Sequence, residues 1–276
     1  MIEEATELKS NKVRSKRARK LKALIFNQYL ETAGGGERLC FEIASALESA
    51  GYEINFVVAG DLTLQVESLA RAFGITPKSK WSLFNVKTTD RINDFCKSRN
   101  YDVFVNNTYE SFLENPAPVG LYVTMFPKRL SSSQQHQIAS YDIIYCISNF
   151  TELYTLRRWG GDKARVVVPP ISEINFSHSD VSFSEKEKLV ICVGRFNVYG
   201  HSKNQLEAIK AFVSFQESGL LGPDWRLVVA GRVNAGEQNL RYLGECVKAA
   251  TQNVTVLEGL PLPDLVSLYR RASLPT

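Results

Sequence analysis

Arg195 and Lys203 flank a short loop, and their surroundings say what such a pair of cations can do. Leu189 to Val193 is an unbroken apolar run, the pattern of a buried parallel strand. Gly194 ends it, a loop containing Gly200 follows, and Leu206, Ile209, Ala211, Phe212 and Val213 then give a helix-like pattern. Arg195 therefore leaves the carboxyl end of a strand, and Lys203 stands near the start of the next helix. Open α/β sheets bind ligands at that place. A helix start adds N–H groups and partial positive charge, which suits phosphate. Two converging cations there would hold a diphosphate.

A second candidate is Gly34-Gly35-Gly36-Glu37. Lys22–Asn27 reads as a strand before it. A helix is expected from Arg38 to Ala50, with Leu39, Phe41, Ile43, Ala46 and Leu47 as its core face and Gly51 as its stop. Tyr52–Ala59 is the next strand, which completes a Rossmann-type βαβ opening. It is not a dinucleotide fingerprint, because the third glycine of G-x-G-x-x-G would fall at Leu39. Three glycines either let a ligand approach the backbone or make a tight turn, and the residues alone leave both open.

The alternation continues with helix 62–73, strand 81–86, helix 88–99 and strands 101–106 and 119–125. A Ser/Gln-rich stretch around His136 follows, read as exposed. Strand 141–148 leads into a helix opened by Asn149 and stopped at Gly160-Gly161, then into Ala164-Arg165-Val166-Val167-Val168. Pro169-Pro170 can continue neither ladder nor helix and makes a stiff exit. The polar stretch 172–188 is a linker. Beyond it, strands 189–193, 226–230 and 254–258 alternate with helices 203–218, 236–250 and 263–272, and Gly231 and Gly259 each close a strand. The expected organisation is α/β: a basic, disordered tail over 1–21, a Rossmann-like doubly wound domain over 22–171, the linker, and a second such domain over 189–276.

Composition bounds the function. Hydrophobic content of 44% and charged content of 22% are those of a soluble globular protein. No apolar run reaches the ~18 residues of a membrane span. The five cysteines are scattered, odd in number and in apolar or helical settings, which points to buried free thiols in a reducing, cytoplasmic compartment. No Asp-x-Asp is present to hold a metal, so neither metal nor cofactor is expected. Residues 1–22 carry eight Lys/Arg against three Glu, a net of +5 where the whole chain has +4, so the remainder is near −1. Residues 9–22 could touch an anionic membrane as a peripheral contact. The near-neutral body has no aromatic-basic surface pattern, and no nucleic acid is expected.

The order G-R-F, loop, H-S-K-N-Q (Gly194 to Gln205) resembles the donor-site segment of glycosyltransferase family 4. Further matches are G-G-G-E at Gly34–Glu37, the strand–S-N-F-T–helix–R-W-G–V-V-V-P-P order ending at Pro170, and G-L-P-L-P-D-L-V-S-L-Y-R-R-A from Gly259. The resemblance covers about residues 22–274. It implies the GT-B architecture of two Rossmann-like domains and transfer of a sugar, with retention, from a UDP- or GDP-linked nucleotide-sugar. The acceptor would be a saccharide, lipid-linked or other. It implies that Arg195 and Lys203 bind the donor diphosphate, that Gly34, Gly35, Gly36 and Glu37 form a loop facing the donor, and that Gly231, Gly259 and Leu260 lie near the base. The chain departs from the family at two points. Met125 stands where many relatives carry His before an aromatic-Pro, and no Glu-x7-Glu motif follows Ser273. The resemblance therefore assigns no catalytic residue, and it implies a chain cut short, with an incomplete second domain and little or no transferase activity. Two alternatives remain at this level: a non-catalytic nucleotide- or sugar-binding remnant, and a polyanion-binding protein acting through its basic tail.

Overall fold

The computed structural model describes residues 19–170, 186–198, 202–233 and 235–275. The chain divides into two compact units, Met1–Ser172 and Glu173–Thr276.

In unit 1 the elements run β1 (Lys22–Phe26), α1 (Gly35–Ser49), β2 (Glu53–Ala59), α2 (Val66–Ala72), β3 (Ser82–Val86), α3 (Arg91–Ser98), β4 (Val103–Asn106), β5 (Val119–Thr124), α4 (Ser132–Ala139), β6 (Ile143–Cys146), α5 (Asn149–Trp159) and β7 (Ala164–Val166). The strands form one parallel sheet in the order β3-β2-β1-β4-β5-β6-β7. Alternate residues of β1 feed two cores, as the two-residue period of a strand requires. Ala23 and Ile25 join Phe41, Phe56 and Trp81 on one face. Leu24 and Phe26 join Ile92, Phe104, Tyr122 and Tyr141 on the other. Both faces are covered, so the sheet is doubly wound.

Three local differences from expectation have a common cause in capping. Helix α1 starts at Gly35, ahead of the expected Arg38, because Glu37 turns back to cap it: its Oε2 accepts from Gly34 N and Thr32 Oγ1, both at 2.7 Å. Ser148, not Asn149, caps α5, its Oγ accepting from Thr151 N at 3.1 Å. The Ser/Gln-rich stretch is helix α4, set by a capping box in which Ser131 N donates to Gln134 Oε1 at 3.0 Å and Gln134 N donates back to Ser131 Oγ at 3.4 Å. His136 sits on it with 83% of its side chain exposed. The last strand of the unit is short, Ala164–Val166, and Val168 beyond it is 73% exposed.

Most of the basic tail, residues 1–18, lies outside the described residues, and with it the expected disorder and most of the segment given to a membrane. Its end is built into unit 1. Arg19 forms an ion pair with Asp102, and Lys22 N, in β1, donates to Asp102 Oδ2 at 2.8 Å.

Unit 2 runs β8 (Glu187–Val193), α6 (Gln205–Glu217), β9 (Arg226–Gly231), α7 (Glu237–Ala249), β10 (Val254–Glu258), α8 (Leu262–Arg271) and β11 (Ala272–Pro275). All four strands are parallel, in the order β10-β9-β8-β11. Strand β11 is a finding against the expected run of three strands ending on a helix: α8 stops at Arg271 and the chain pairs along β8, Ser273 Oγ donating to Glu187 O at 2.6 Å. Strand β8 also begins inside the stretch expected as linker. Glu187 is held by Arg226 and Arg271, and Lys188 by Asp224, so charged residues at its start are stabilised by ion pairs rather than apolar burial. Residues 171–185 of that linker lie outside the described residues. All five cysteines are free and buried. Among the described residues no helix is long and apolar enough to cross a membrane.

Candidate functional site

The carboxyl ends of β8, β9 and β10 are stitched together past the strands themselves. Gly194 N donates to Ala230 O at 2.9 Å, Phe196 N to Arg232 O at 2.9 Å, and Gly259 N to Gly231 O at 3.0 Å. Phe196 is fully buried and pairs in parallel with Val233. Gly231 is needed for this closeness, since a Cβ there would lie 1.9 Å from Gly194 O. Gly259 adopts φ +67°, a left-handed conformation suited to glycine, and Leu260 beside it is half-buried.

The start of α6 folds back on the same turn. A Cβ on Gly194 would sit 2.6 Å from Lys203 Cγ, so the lysine stem packs directly over that glycine. Asn204 takes φ +53° and leads into the helix without a side-chain cap. Gln205, fully buried, does the fastening: its Nε2 donates to Gly194 O at 2.9 Å and to Arg195 O at 3.0 Å. Tyr242 of α7 braces it, donating its hydroxyl to Gln205 Oε1 at 3.3 Å and accepting from Leu206 N at 3.2 Å. The strand end carrying Arg195 and the helix start carrying Lys203 are thus fixed to each other. Arg195 is half-buried and Lys203 exposed. Among the described residues neither has a carboxylate partner, whereas Arg226, Arg241 and Arg271 of the same unit all do. Two uncommitted cations at a helix start form an anion-binding arrangement. Residues 199–201 of the intervening loop lie outside the described residues.

Gln205 and Tyr242 are the positioning residues the sequence reading passed over. Gln205 stood in the quoted segment, but the two carbonyls it binds lie ten and eleven residues back, beyond any local pattern.

Gly34 to Glu37 lie in unit 1. Gly34 is the N-cap of α1, and the other three form its first turn. Glu37 is buried to 7% exposure, with Oε2 spent on the cap. Met125, after β5, lies against Gly36: a Cβ there would meet Met125 Cε at 2.6 Å. Asn107 Nδ2 donates to Gly36 O at 3.0 Å. A Cβ on Gly35 would meet nothing within 4 Å beyond its chain neighbours and its own helix backbone. Cys40, one turn on, is kept a neutral thiol by burial and then by the nearby Glu37 charge, both of which raise its pKa.

Residues 173–275 match the family model described as glycosyl transferases group 1. No curated protein sequence matches the chain. Among solved structures, a putative UDP-N-acetylglucosamine 2-epimerase from Listeria monocytogenes is 14% identical with a TM-score of 0.55, over 93% of this chain and 73% of that one. A point mutant of S. aureus TarM, in complex with Fondaparinux, alpha-GlcNAc-glycerol and UDP, is 7% identical with a TM-score of 0.62, over 89% and 78%. A trehalose-6-phosphate structure from E. coli bound with UDP-2-fluoro glucose is 11% identical with a TM-score of 0.51, over 87% and 74%. At these identities the likeness is one of fold: α/β, with Rossmann-like parallel sheets of the GT-B type.

Proposed function

We propose that this chain binds a nucleotide-sugar through unit 2 and is a glycosyltransferase of the family 4 type, transferring the sugar with retention to a saccharide or other acceptor. The observation that carries the reading is the clamped turn, in which Gln205 holds the Arg195 and Lys203 segments together while neither cation meets a carboxylate among the described residues. The turn lies within the residues matched to glycosyl transferases group 1. Structures of similar fold were solved with UDP or a UDP-linked sugar, which supports the same ligand class here.

The chemistry follows from the charges. As the glycosidic C–O bond breaks, its electron pair leaves on the diphosphate and positive charge develops on the sugar. Arg195, Lys203 and the start of α6 would stabilise the leaving group electrostatically, an effect that grows as charge develops. Gly231, Gly259 and Leu260, at the adjoining strand ends, would bound the base. Gly34 to Glu37 would present backbone to the reactants, with open space at Gly35. No residue is assigned to nucleophilic or proton-transfer work.

Calorimetric titration with UDP and GDP, alongside an assay of sugar release from UDP- and GDP-linked sugars, tests the reading. Binding of one of the two diphosphates is the expected result, and release of its sugar besides would make the chain an active transferase. Binding without release would make the chain a nucleotide-binding protein only. Absence of binding would remove the proposal altogether.

A further inference from the structure

Arg195 has a neighbour of like charge across the sheet of unit 2. Val193 faces Ala230 and, past the strand ends, Phe196 faces Val233, so the register carries through and Arg195 stands opposite Arg232. The bonds from Gly194 N to Ala230 O and from Phe196 N to Arg232 O bracket that pair. Side chains alternate between the two faces of a sheet. Cys192 and Phe196 enter the core formed with α6 and α7, whereas Ile191, Val193 and Val228 enter the core that holds Leu268 of α8. Arg195 and Arg232 continue the second series, so their side chains leave adjacent strands toward the same side. Like charges directly opposite each other destabilise a sheet. Among the described residues no carboxylate relieves this pair, and Arg232 is exposed. Glu258 faces Gly231, which sets Gly259, without a side chain, on the other flank of Arg232. Glu258 itself follows Val254 and Val256 toward the α6 and α7 side. Asp264, in the first turn of α8, pairs with neither arginine.

Lys203 belongs to the opposite side, its stem lying over Gly194, so the cations flank the strand ends from both sides. The diphosphate of a nucleotide-sugar is already answered by Arg195, Lys203 and the start of α6. Arg232 is a cation in excess of that need. Two guanidinium groups side by side, each a fork of N–H donors, take an oxyanion between them. We propose that Arg232 and Arg195 form a subsite for a second oxyanion, a phosphoryl or carboxylate group that a sugar substrate carries in addition to the donor diphosphate. The assignment rests on the nucleotide-sugar reading above and narrows it to an acidic sugar.

The test uses the full chain and calorimetry. One arm compares UDP-glucuronate with UDP-glucose, which places the oxyanion on the transferred sugar. The other, at saturating UDP, compares glucose 6-phosphate with glucose, which places it on the acceptor. The acidic member of one pair should bind about tenfold tighter or more, as a charge-assisted hydrogen bond does. In Arg232→Gln that preference should vanish, while UDP loses less affinity than in Arg195→Ala. Without ligand and at low salt, Arg232→Gln should melt no lower than wild type, because it removes a repulsion and not a contact. Three results overturn the subsite while leaving the donor reading intact: UDP binding with no preference for either acidic sugar, a preference that survives Arg232→Gln, or a loss of UDP affinity equal to that of Arg195→Ala. A lower ligand-free melting temperature in Arg232→Gln would make the arginine structural and overturn the subsite as well. Absence of UDP binding would overturn both readings.

Discussion

The two units open their helices differently after a strand and a turn, and the difference decides which one is free to hold an anion. At the start of α1, the helix supplies its own anion: the buried Glu37 carboxylate accepts from Gly34 N and Thr32 Oγ1. The positive end of that helix is already compensated. At the start of α6 no side chain caps the helix. The nearby buried polar group is the neutral Gln205 amide, and it faces away, toward the carbonyls of Gly194 and Arg195. One turn has its first-turn carboxylate committed to the cap, and the other presents two cations that meet no carboxylate among the described residues. Similar strand–turn–helix geometry therefore does not imply similar ligand capacity; the sign and commitment of the side chain in the first turn does.

The largest expected effect comes from breaking the stitched side. Gly231→Ala forces a Cβ to within 1.9 Å of Gly194 O, so the turn must move. Overpacking of this kind should cost about 3 kcal/mol or more, read as a fall in the denaturation midpoint together with loss of UDP binding. A midpoint near wild type would show that the two strand ends are not locked together.

Next comes the charge itself. Arg195→Ala should weaken UDP or GDP binding by about 1.5–3 kcal/mol with unchanged melting, because among the described residues its side chain pairs with no other charge. Lys203→Ala should lose less, as a flexible point charge does. Calorimetry showing equal affinity in both variants would equalise the two turns and remove the contrast.

Glu37→Ala probes the closed side. It should lower stability by about 1 kcal/mol, the usual worth of a helix cap, and leave nucleotide affinity unchanged. A change in nucleotide affinity with no change in stability would mean that Glu37 serves a ligand and not the helix. The smallest effect is expected of Gly35→Ala, where a Cβ meets nothing within 4 Å. Stability should hold within about 0.5 kcal/mol or rise slightly, since alanine suits a helix better than glycine. Any large loss of sugar transfer in that variant would then report a reactant passing close to the backbone.

Legibility in the sequence follows the apolar pattern. Strands with continuous apolar runs, such as Leu189–Val193, are legible almost to the residue, because burial on both faces leaves no other composition. Helix α4 is not legible by that route. Its S-S-Q-Q-H-Q stretch is followed by the one buried residue, Ile138, and the helix is set instead by the Ser131–Gln134 capping box. Strand β11 is hidden because Leu265, Leu268, Tyr269 and Ala272 carry a helical spacing through the point where the backbone turns. At the site, the sequence shows which residues are cations, glycines and amides. It does not show that Gly231 is small for the sake of Gly194, or that Gln205 binds carbonyls rather than a ligand. Those roles depend on which backbone passes nearby, a property of the folded sheet and not of neighbours in the chain.

The hydrogen bonds that carry the ladder beyond the strands, at Gly194, Phe196 and Gly259, have a consequence for time as well as shape. Their amide protons should exchange with solvent only when the sheet of unit 2 opens, and so at the slow rates of strand interiors rather than those of loops. A ligand that meets this turn encounters backbone that is already still. The entropy of ordering it was surrendered when the unit folded, so little is left to lose on association.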